Sequence, residues 1–454
     1  MTGTVYLVHA IDTEGPLYEP IEAKFERLQE LFGIPEITPS RTNLESLQRG
    51  EIELGEQTAR IQAVLQSHKA NTLGSWDQIE GMLQHVCSER FRNQFPDSVG
   101  NGWIYNWFCM DHVGYLTNPR KRDMGYLNIH DFYAGLIESQ TWARDTLEFH
   151  FHPMSTYREA HRCATHYLRS DELYQSLCYR VIEREFFPAS YRAGFQAERP
   201  DSHWFLEQFI PYDISNMATE DTSDIDNSID FRNGRSGNWR KAPNDWSVYH
   251  PSHDDYQLPG HCRRLIGRAL NLRSRVGGMT QAEMDKAFAR AADGEDTVVG
   301  VCSHDWRDLA PEVESAITML RQSVERFPQV NFLYSDTVSA FRSQLSSKEL
   351  AKPPLQLSLI YHPERPGVDV PFIEIRTESG QVFGPQPFLA IKTRANRYIH
   401  DNLDVAVDQG VWYYAFHSDT LPIGDVEKIG IAANDLLGNT VVLKFDMTEL
   451  INDR

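Results

Sequence analysis

The chain alternates short apolar, β-branched runs with longer segments in which apolar residues recur at helical spacing. Strands are predicted at residues 5–11, 71–76, 102–113, 147–153, 186–191, 210–215, 297–302 and 330–335. Amphipathic helices are predicted at residues 21–32, 56–67, 77–95, 131–144, 171–185, 200–209, 280–291, 311–327 and 337–345. Residues 34–58 are polar and are expected to be irregular. Strands that alternate with helices in this way predict a parallel (β/α) sheet or barrel.

The pattern changes near residue 350. Short strands with little helix are predicted at residues 355–361, 372–376, 388–393, 412–416, 429–433 and 441–445. We therefore expect an α/β protein with a (β/α) barrel over residues 1–350 and an all-β sandwich over residues 355–454. The sandwich can bind carbohydrate, mediate dimerisation or cover the first domain, and the sequence does not choose among these roles.

Residues 217–260 are polar and form a long insertion between two predicted elements of the barrel. Insertions of this length are usually functional or mobile. Three aromatic residues lie within it: Trp239, Trp246 and Tyr249. These rings can stack on a sugar, or they can pin the loop to the rest of the fold.

Composition and charge exclude several classes of partner. The chain of 454 residues is 41% hydrophobic and 24% charged, which is typical of a globular protein with more than one core. The formal net charge of −20 disfavours nucleic acid and anionic membrane surfaces. Six cysteines without a C-x-x-C pair predict free thiols in a reducing compartment. We see no signal peptide and no apolar run of about 20 residues, so we expect a cytoplasmic protein without a membrane span. The oligomeric state stays open.

Polar residues follow several predicted strands at the point where each strand ends. Asp12 and Glu14 follow the first strand, His150 and His152 close another, and Arg192 and His304 follow two more. The carboxyl ends of parallel strands meet at one rim of a barrel, so these distant residues can share a pocket.

The two histidines are two positions apart on a predicted strand, so their side chains point the same way. Catalytic zinc takes three protein ligands and leaves one position for water, and metal-assisted hydrolysis suits two histidines, acids, an arginine and a further histidine. The alternative is a pair of surface or hydrogen-bonded histidines. Substrate contacts are predicted for Asp111, His112, Trp306 and Tyr191. For Asp111 and His112, a hydrogen-bonded core pair is the alternative.

Five motifs stand in an order that resembles a known family. They are I-D-T-E-G at residues 11–15, F-H-F-H-P at 149–153, Y-R-A-G at 191–194, Y-D-I-S at 212–215 and C-S-H-D at 302–305. Together they resemble the polysaccharide deacetylases of the NodB-homology, carbohydrate esterase 4 type, over residues 5 to about 345. The chain looks especially similar to a divergent branch associated with bacterial surface-polysaccharide gene clusters. The family usually has H-x-x-x-H and adjacent Asp-Asp, whereas this chain has H-x-H and Asp-x-Glu.

The resemblance implies a distorted (β/α) barrel and a metal-dependent hydrolase that removes N- or O-acetyl groups from a sugar or polysaccharide precursor. The metal is expected to be Zn²⁺, with other divalent ions as alternatives. Its implied ligands are Glu14, His150 and His152. Asp12 is implied as the general base, although Asp12 and Glu14 can exchange roles. Arg192 is implied to orient the base, His304 to act as general acid and Asp305 to tune the pKa of His304.

Two other functions fit the same residues. A glycoside hydrolase would pair Asp12 or Glu14 with Asp111 or Asp213, since such enzymes need two carboxyl groups about 5 to 9.5 Å apart. A catalytically inactive glycan-binding protein would keep the fold and lose the chemistry. Metal content, acetate release and the position of a second carboxylate distinguish the three.

Overall fold

The computed structural model of the protein describes residues 2–452 except 19, 66–71, 111–126, 141, 153–170, 221–236, 274–277 and 368. Its strands are β1 Thr4–Thr13, β2 Asn106–Met110, β3 Thr146–Phe151, β4 Ser190–Ala193, β5 Tyr212–Asn216, β6 Leu265–Asn271, β7 Thr297–His304, β8 Asn331–Tyr334, β9 Gln356–His362, β10 Phe372–Ser379, β11 Phe388–Thr393, β12 Tyr398–Asp401, β13 Asp404–Val405, β14 Val411–Ala415, β15 Val426–Asn434 and β16 Thr440–Asp446. Its helices are α1 Ile21–Phe32, α2 Arg41–Arg49, α3 Gln57–Leu65, α4 Trp76–Val86, α5 Glu89–Arg92, α6 Asn128–Ser139, α7 Asp171–Arg184, α8 Pro200–Phe209, α9 Gln281–Ala292, α10 Ala310–Arg326, α11 Thr337–Arg342, α12 Ser347–Leu350 and α13 Met447–Asn452.

Strands β1 to β7 are parallel and close into a seven-stranded barrel, as the predicted (β/α) architecture requires. β1 pairs with β7 along its length, from Val5↔Thr297 to Asp12↔His304. On its other edge, β1 is shared between two strands. Its first half pairs with β8, and its second half pairs with β2 from Ala10↔Asn106 onward. The barrel is therefore closed at the carboxyl end of β1, where the predicted site residues lie.

Strand alternation separates an interior face from an outer face. Interior residues from five barrel strands form one apolar cluster with residues after β8: Val8, Ala10, Phe108, Tyr212, Ile214, Leu265, Ala269, Val298, Cys302, Ala340, Phe341 and Leu345. The alternate positions pack outward against the helices, for example Leu7 and Val301. α11 closes the far end, where Phe341 stacks on Tyr212 at the start of β5. Since both faces are covered, the strands read as continuous apolar runs, which is typical of parallel sheets.

The C-terminal part is a β-sandwich, also as predicted. Two antiparallel four-stranded sheets, in the orders β13-β14-β10-β9 and β12-β11-β15-β16, share an apolar core that includes Ile373, Trp412 and Ile431. The second sheet also packs on α7 of the barrel through Phe388 and Ala390. Covering the first domain is thus one role that this sandwich has, and carbohydrate binding and dimerisation stay predictions.

Most predicted elements are confirmed, but two predictions were wrong and several elements were not predicted. Residues 34–58 contain α2, which begins after the capping residue Ser40 and ends at Gly50, a glycine with a φ of 72°. The described residues of 71–76 hold no strand; Leu73 instead accepts from Leu17 N and donates to Trp306 O, both at 2.8 Å. β6 was not predicted, because Gly267 and Arg268 interrupt its apolar run.

Of the six cysteines, the structure describes five, and none of these five forms a disulfide bond. Four are buried, and Cys262 is partly exposed. No helix in the described ranges has the length and apolar composition needed to cross a bilayer.

Candidate metal centre

The interior face continues to the rim of the barrel, and there its residues become polar. Each rim residue lies two positions beyond an interior residue of its own strand, so alternation turns it inward. The inward-facing polar residues at this rim include Asp12, His150, Arg192, Asn271 and His304. Register places His150 beside Arg192 and Asp12 beside His304. The barrel therefore gathers four of the predicted residues into one layer.

Three buried side chains converge at this rim: His150 of the layer, with His152 and Glu14. His150 Nε2 lies 2.9 Å from His152 Nε2, and Glu14 Oε1 lies 3.2 Å from His152 Nε2 and 3.8 Å from His150 Nε2. Two ligands of a tetrahedral zinc ion are about 3.3 Å apart when the bonds are 2.0 to 2.1 Å long. The three measured separations bracket that value. Glu14, His150 and His152 thus form a possible metal-binding triad.

The tautomer of His150 suits a metal ligand. His150 Nδ1 lies 2.8 Å from the carbonyl oxygen of Arg192, so Nδ1 carries the proton and donates it. The Nε2 lone pair is then directed at His152 and Glu14. A backbone carbonyl that fixes the second nitrogen of a histidine is a common support for metal ligands. Two imidazole nitrogens and a carboxylate oxygen are also ligand types that zinc accepts, so the residues present fit the predicted ion.

Asp12 lies beside the triad but is held by a different partner. Its Oδ1 accepts from Arg192 Nε at 2.7 Å, and both side chains are buried. Burial would raise the pKa of Asp12, but the charges of Arg192, His150 and His304 outweigh it and hold that pKa below its usual value. Asp12 is therefore a fixed anion at neutral pH. This arrangement favours Asp12 as the base and Glu14 as the ligand.

His304 completes the layer on the other side of Asp12. Its Nε2 lies 3.8 Å from Asp12 Oδ2, and 21% of its side chain is exposed. Burial by surrounding protein atoms lowers the pKa of His304 to about 4. The imidazole is therefore neutral at pH 7. It must take up a proton before it can act as the general acid that the resemblance implies. The ring of Trp306 lies 4.8 Å away, at the edge of the site.

Asp305 has a supporting position. Its carboxylate accepts from the backbone N–H of Glu14 at 2.9 Å, from that of Gly15 at 3.0 Å and from Tyr133 Oη at 3.0 Å. Burial raises the pKa of Asp305 to about 6. Asp305 thus holds the segment that carries Glu14, and its effect on the pKa of His304 stays a prediction. Tyr133 was missed, since on the sequence it is one apolar position among several in α6.

The turn after β4 holds His152 from the side. Phe195 lies 4.7 Å from the His152 ring, and the backbone of Phe195 and Gln196 is left-handed, with φ of 54° and 50°. Such conformations cost about 1 to 3 kcal/mol each and persist only where neighbours impose them. The insertion supplies these neighbours, because Gly237 N donates to Phe195 O and Trp239 Nε1 donates to Gln196 O, both at 3.0 Å.

The aromatic residues of the insertion therefore pin the loop. Trp239, Trp246 and Tyr249 are all buried. Trp246 Nε1 donates to Glu283 O at 3.0 Å, and Tyr249 Oη donates to Tyr256 O at 2.8 Å. Buried rings whose polar atoms are held by hydrogen bonds are not free to stack on a sugar.

Gly194 is required for the position of His152. A Cβ at Gly194 would lie 2.3 Å from His152 Cδ2 and 2.8 Å from its Cα. We expect Gly194→Ala to push the imidazole out of line and to weaken zinc binding about 10 to 100-fold, the range typical of lost outer support. Zinc affinity measured by competition with a chromophoric chelator checks this. Gly135→Ala is the matched control, because a Cβ there meets nothing within 4 Å. Equal affinity in the two variants would contradict the prediction.

Two predicted residues face away from the rim. Tyr191 is 1% exposed and packs outward on Phe149, with ring centroids 5.9 Å apart, so its predicted contact with substrate was wrong. Asp213 also faces outward, where it accepts from Arg264 Nη1 at 2.6 Å and from Ser215 N at 2.8 Å. Alternation explains both, since each is one position out of phase with the interior face. Asp111 and His112 lie outside the described residues.

Three comparisons were made with known proteins. The chain matches no protein-family model, no curated protein and no solved structure, so the geometry of this centre is what supports a function.

Proposed function

We propose that the protein is a metal-dependent hydrolase that removes N- or O-acetyl groups from a sugar or polysaccharide precursor. One observation carries this proposal: the triad Glu14, His150 and His152 lies beside the buried Asp12–Arg192 pair. A structural zinc site is closed by four protein ligands, whereas a catalytic site has three and keeps a position open. Among the described residues, a fixed carboxylate lies next to three candidate ligands, which supports the second kind.

The proposed cofactor is a divalent cation, with Zn²⁺ as the first choice. Glu14, His150 and His152 would hold it. When bound, such an ion polarises an acyl carbonyl and lowers the pKa of water.

The chain's own residues then divide the proton transfers. Asp12 accepts the proton of the attacking water, and Arg192 keeps Asp12 charged and oriented until that moment. Neutral His304, whose Nε2 lies 3.8 Å from Asp12 Oδ2, then accepts that proton from Asp12. His304 then gives it to the departing amine or alcohol of the sugar, so that base and acid both return to their starting states.

The resemblance to the NodB-homology deacetylases supports the same proposal. The H-x-H spacing places both imidazoles on the interior side of β3, and their Nε2 atoms are 2.9 Å apart. An extended strand thus brings two imidazoles together when they are two residues apart, whereas the family's histidines are four residues apart. Asp-x-Glu likewise places two acids in different roles, since Asp12 binds Arg192 while Glu14 reaches the histidines.

The glycoside-hydrolase alternative is less well supported. Of its two predicted second carboxylates, Asp213 faces outward and both of its oxygens accept hydrogen bonds. The glycan-binding alternative does not account for a buried, charged Asp12–Arg192 pair beside His304, because a binder has no need of a fixed base.

Acetate release tests the proposal. The protein is stripped with a chelator, reloaded with Zn²⁺ and assayed on an N-acetylated oligosaccharide and on an O-acetylated sugar. Asp12→Asn should keep its zinc and lose about 10² to 10⁴-fold in kcat/KM, the usual contribution of a general base. Asp254→Asn is the matched control, since that carboxylate is 93% exposed. Zinc-loaded protein that releases no acetate would favour the glycan-binding alternative instead.

A further inference from the structure

We propose that Asn271 is a substrate-positioning residue whose side-chain oxygen accepts a hydrogen bond from an N–H or O–H group of the ligand. This inference rests on the proposed function, because it places a sugar ligand over the metal centre. Asn271 is the last residue of β6, the strand that the sequence pattern does not predict. It has no counterpart among the motifs at the other strand ends.

Asn271 belongs to the same inward-facing layer as the candidate catalytic residues. Ala269, two positions earlier, lies in the interior cluster, so alternation turns Asn271 inward as well. Its Cα pairs in register with Cys302, which is two residues before His304 on β7. Asn271 therefore lies one strand away from His304 and faces the same space.

Among the residues that the structure describes, the amide of Asn271 lacks an adequate partner. Its Oδ1 is buried and accepts no hydrogen bond from any described residue. Its Nδ2 makes only a long contact of 4.0 Å with the sulfur of Met217. A buried acceptor without a donor destabilises a fold by about 1 to 3 kcal/mol, so such groups in native proteins call for an explanation.

Asn216 provides an internal comparison. It is the last residue of β5, the neighbouring strand, and pairs in register with Arg268. Its Nδ2 donates to Pro243 O at 2.9 Å, and its Oδ1 accepts from Ala218 N at 2.8 Å. The side-chain nitrogen and oxygen of Asn216 thus both form hydrogen bonds within the protein. Asn271 differs because no described residue donates a hydrogen bond to its oxygen.

A second buried polar atom, on Trp306 near His304, also has no hydrogen-bond partner among the described residues. Trp306 Nε1 is a buried donor without an acceptor among the described residues. The segments that carry the two residues are joined, since Arg307 Nη1 donates to Arg273 O at 3.1 Å and Leu272 N donates to Cys302 O at 2.9 Å. An acceptor at the end of β6 and a donor just after β7, both without partners among the described residues, suit a ligand with both kinds of group, such as a sugar that bears hydroxyl and acetamido substituents.

The test compares Asn271→Leu with Asn216→Leu in the zinc-loaded protein. Leucine has a similar volume and removes the amide from each site. Two quantities are measured: the Tm without ligand, and the Kd for N-acetylglucosamine and for glucose by titration calorimetry. We expect Asn271→Leu to keep or raise the Tm, because it removes an unpaired acceptor. It should also raise the Kd for N-acetylglucosamine about tenfold. Asn216→Leu should lower the Tm, since it leaves Pro243 O and Ala218 N without partners.

The two sugars identify the donor. A Kd that rises for N-acetylglucosamine alone assigns the acetamido N–H, and a Kd that rises for both assigns a hydroxyl group; both results support the proposal. It is overturned if Asn271→Leu binds N-acetylglucosamine as the wild type does, if its Tm falls as in Asn216→Leu, or if the wild type binds neither sugar. Acetate release is read separately on the wild type. If the wild type released no acetate, the proposed hydrolase activity would be overturned, but the binding result for Asn271 would still hold.

Discussion

Replacing His152 with alanine is expected to lower the affinity for Zn²⁺ at least about a hundredfold, because even outer-shell partners of a metal ligand contribute 10 to 100-fold. His152 has the shortest separations in the triad, 2.9 Å to His150 Nε2 and 3.2 Å to Glu14 Oε1. Removing it leaves two of the three proposed ligands, and a site with two protein ligands does not hold zinc in the way a catalytic site does. Acetate release should fall with the loss of metal.

The measurement is zinc affinity after chelator treatment, read by competition and by metal content per chain. His253→Ala is the matched control, because that imidazole is 74% exposed and lies away from the triad. Wild-type affinity in the His152 variant would mean that the three side chains do not bind a metal, and the proposed function would fall with it.

The second large effect is expected from Arg192→Met. This substitution preserves much of the side-chain volume but leaves the Asp12 carboxylate buried without its cation. Breaking a buried ion pair on one side costs about 3 to 5 kcal/mol. We expect the free energy of unfolding, measured by urea denaturation at pH 7, to fall by about that amount. Arg49→Met is the control. Arg49 and Glu51 lie 2.6 Å apart, close to the 2.7 Å between Arg192 and Asp12, but both side chains are more than half exposed, so this variant should unfold much like the wild type.

The same variant should change the dependence of activity on pH. In the wild type, Arg192, His150 and His304 together outweigh burial and keep the pKa of Asp12 below its usual value. Without Arg192 the effect of burial weighs more, so the pKa of Asp12 rises. A base is active only when it has lost its proton, so the acid limb of kcat/KM should move to higher pH. An unchanged acid limb in a folded, zinc-loaded variant would show that Asp12 is not the base.

The double variant Asp12→Asn, Arg192→Met separates the two contributions. If the stability loss arises from an unpaired charge, neutralising Asp12 should recover part of it, and the coupling energy of the cycle should be large. Additive losses would mean that Arg192 acts through other contacts, such as its donation to Ile214 O at 3.1 Å.

Much of the fold follows from local patterns. α8 and β11 begin and end at the predicted residues, because each is a single amphipathic or apolar run with clear boundaries. α2 was missed since its apolar positions are few, although Ser40 and Gly50 mark its ends. The orientation of His150 and His152 also follows from the sequence, since alternation along one strand is a local property.

Other features depend on contacts between segments that are distant in the chain. Asp305 supports Glu14 across 291 positions, and that hydrogen bond arises only because β7 pairs with β1. The ion pair that favours Asp12 as the base is made by Arg192, which lies 180 positions from Asp12. Neither partner can be read from the residues near the acid itself.

By itself, then, the sequence determined which residues are polar at the strand ends, that strands and helices alternate before a β-rich C-terminal part, and that two imidazoles share a face. The tertiary structure decided which of these residues meet. It turned Tyr191 and Asp213 outward, added β6 and Asn271 to the rim, and brought Glu14 to the histidines. The physical reason is that propensity and periodicity act over a few residues, whereas strand register and barrel closure are set by packing over the whole chain.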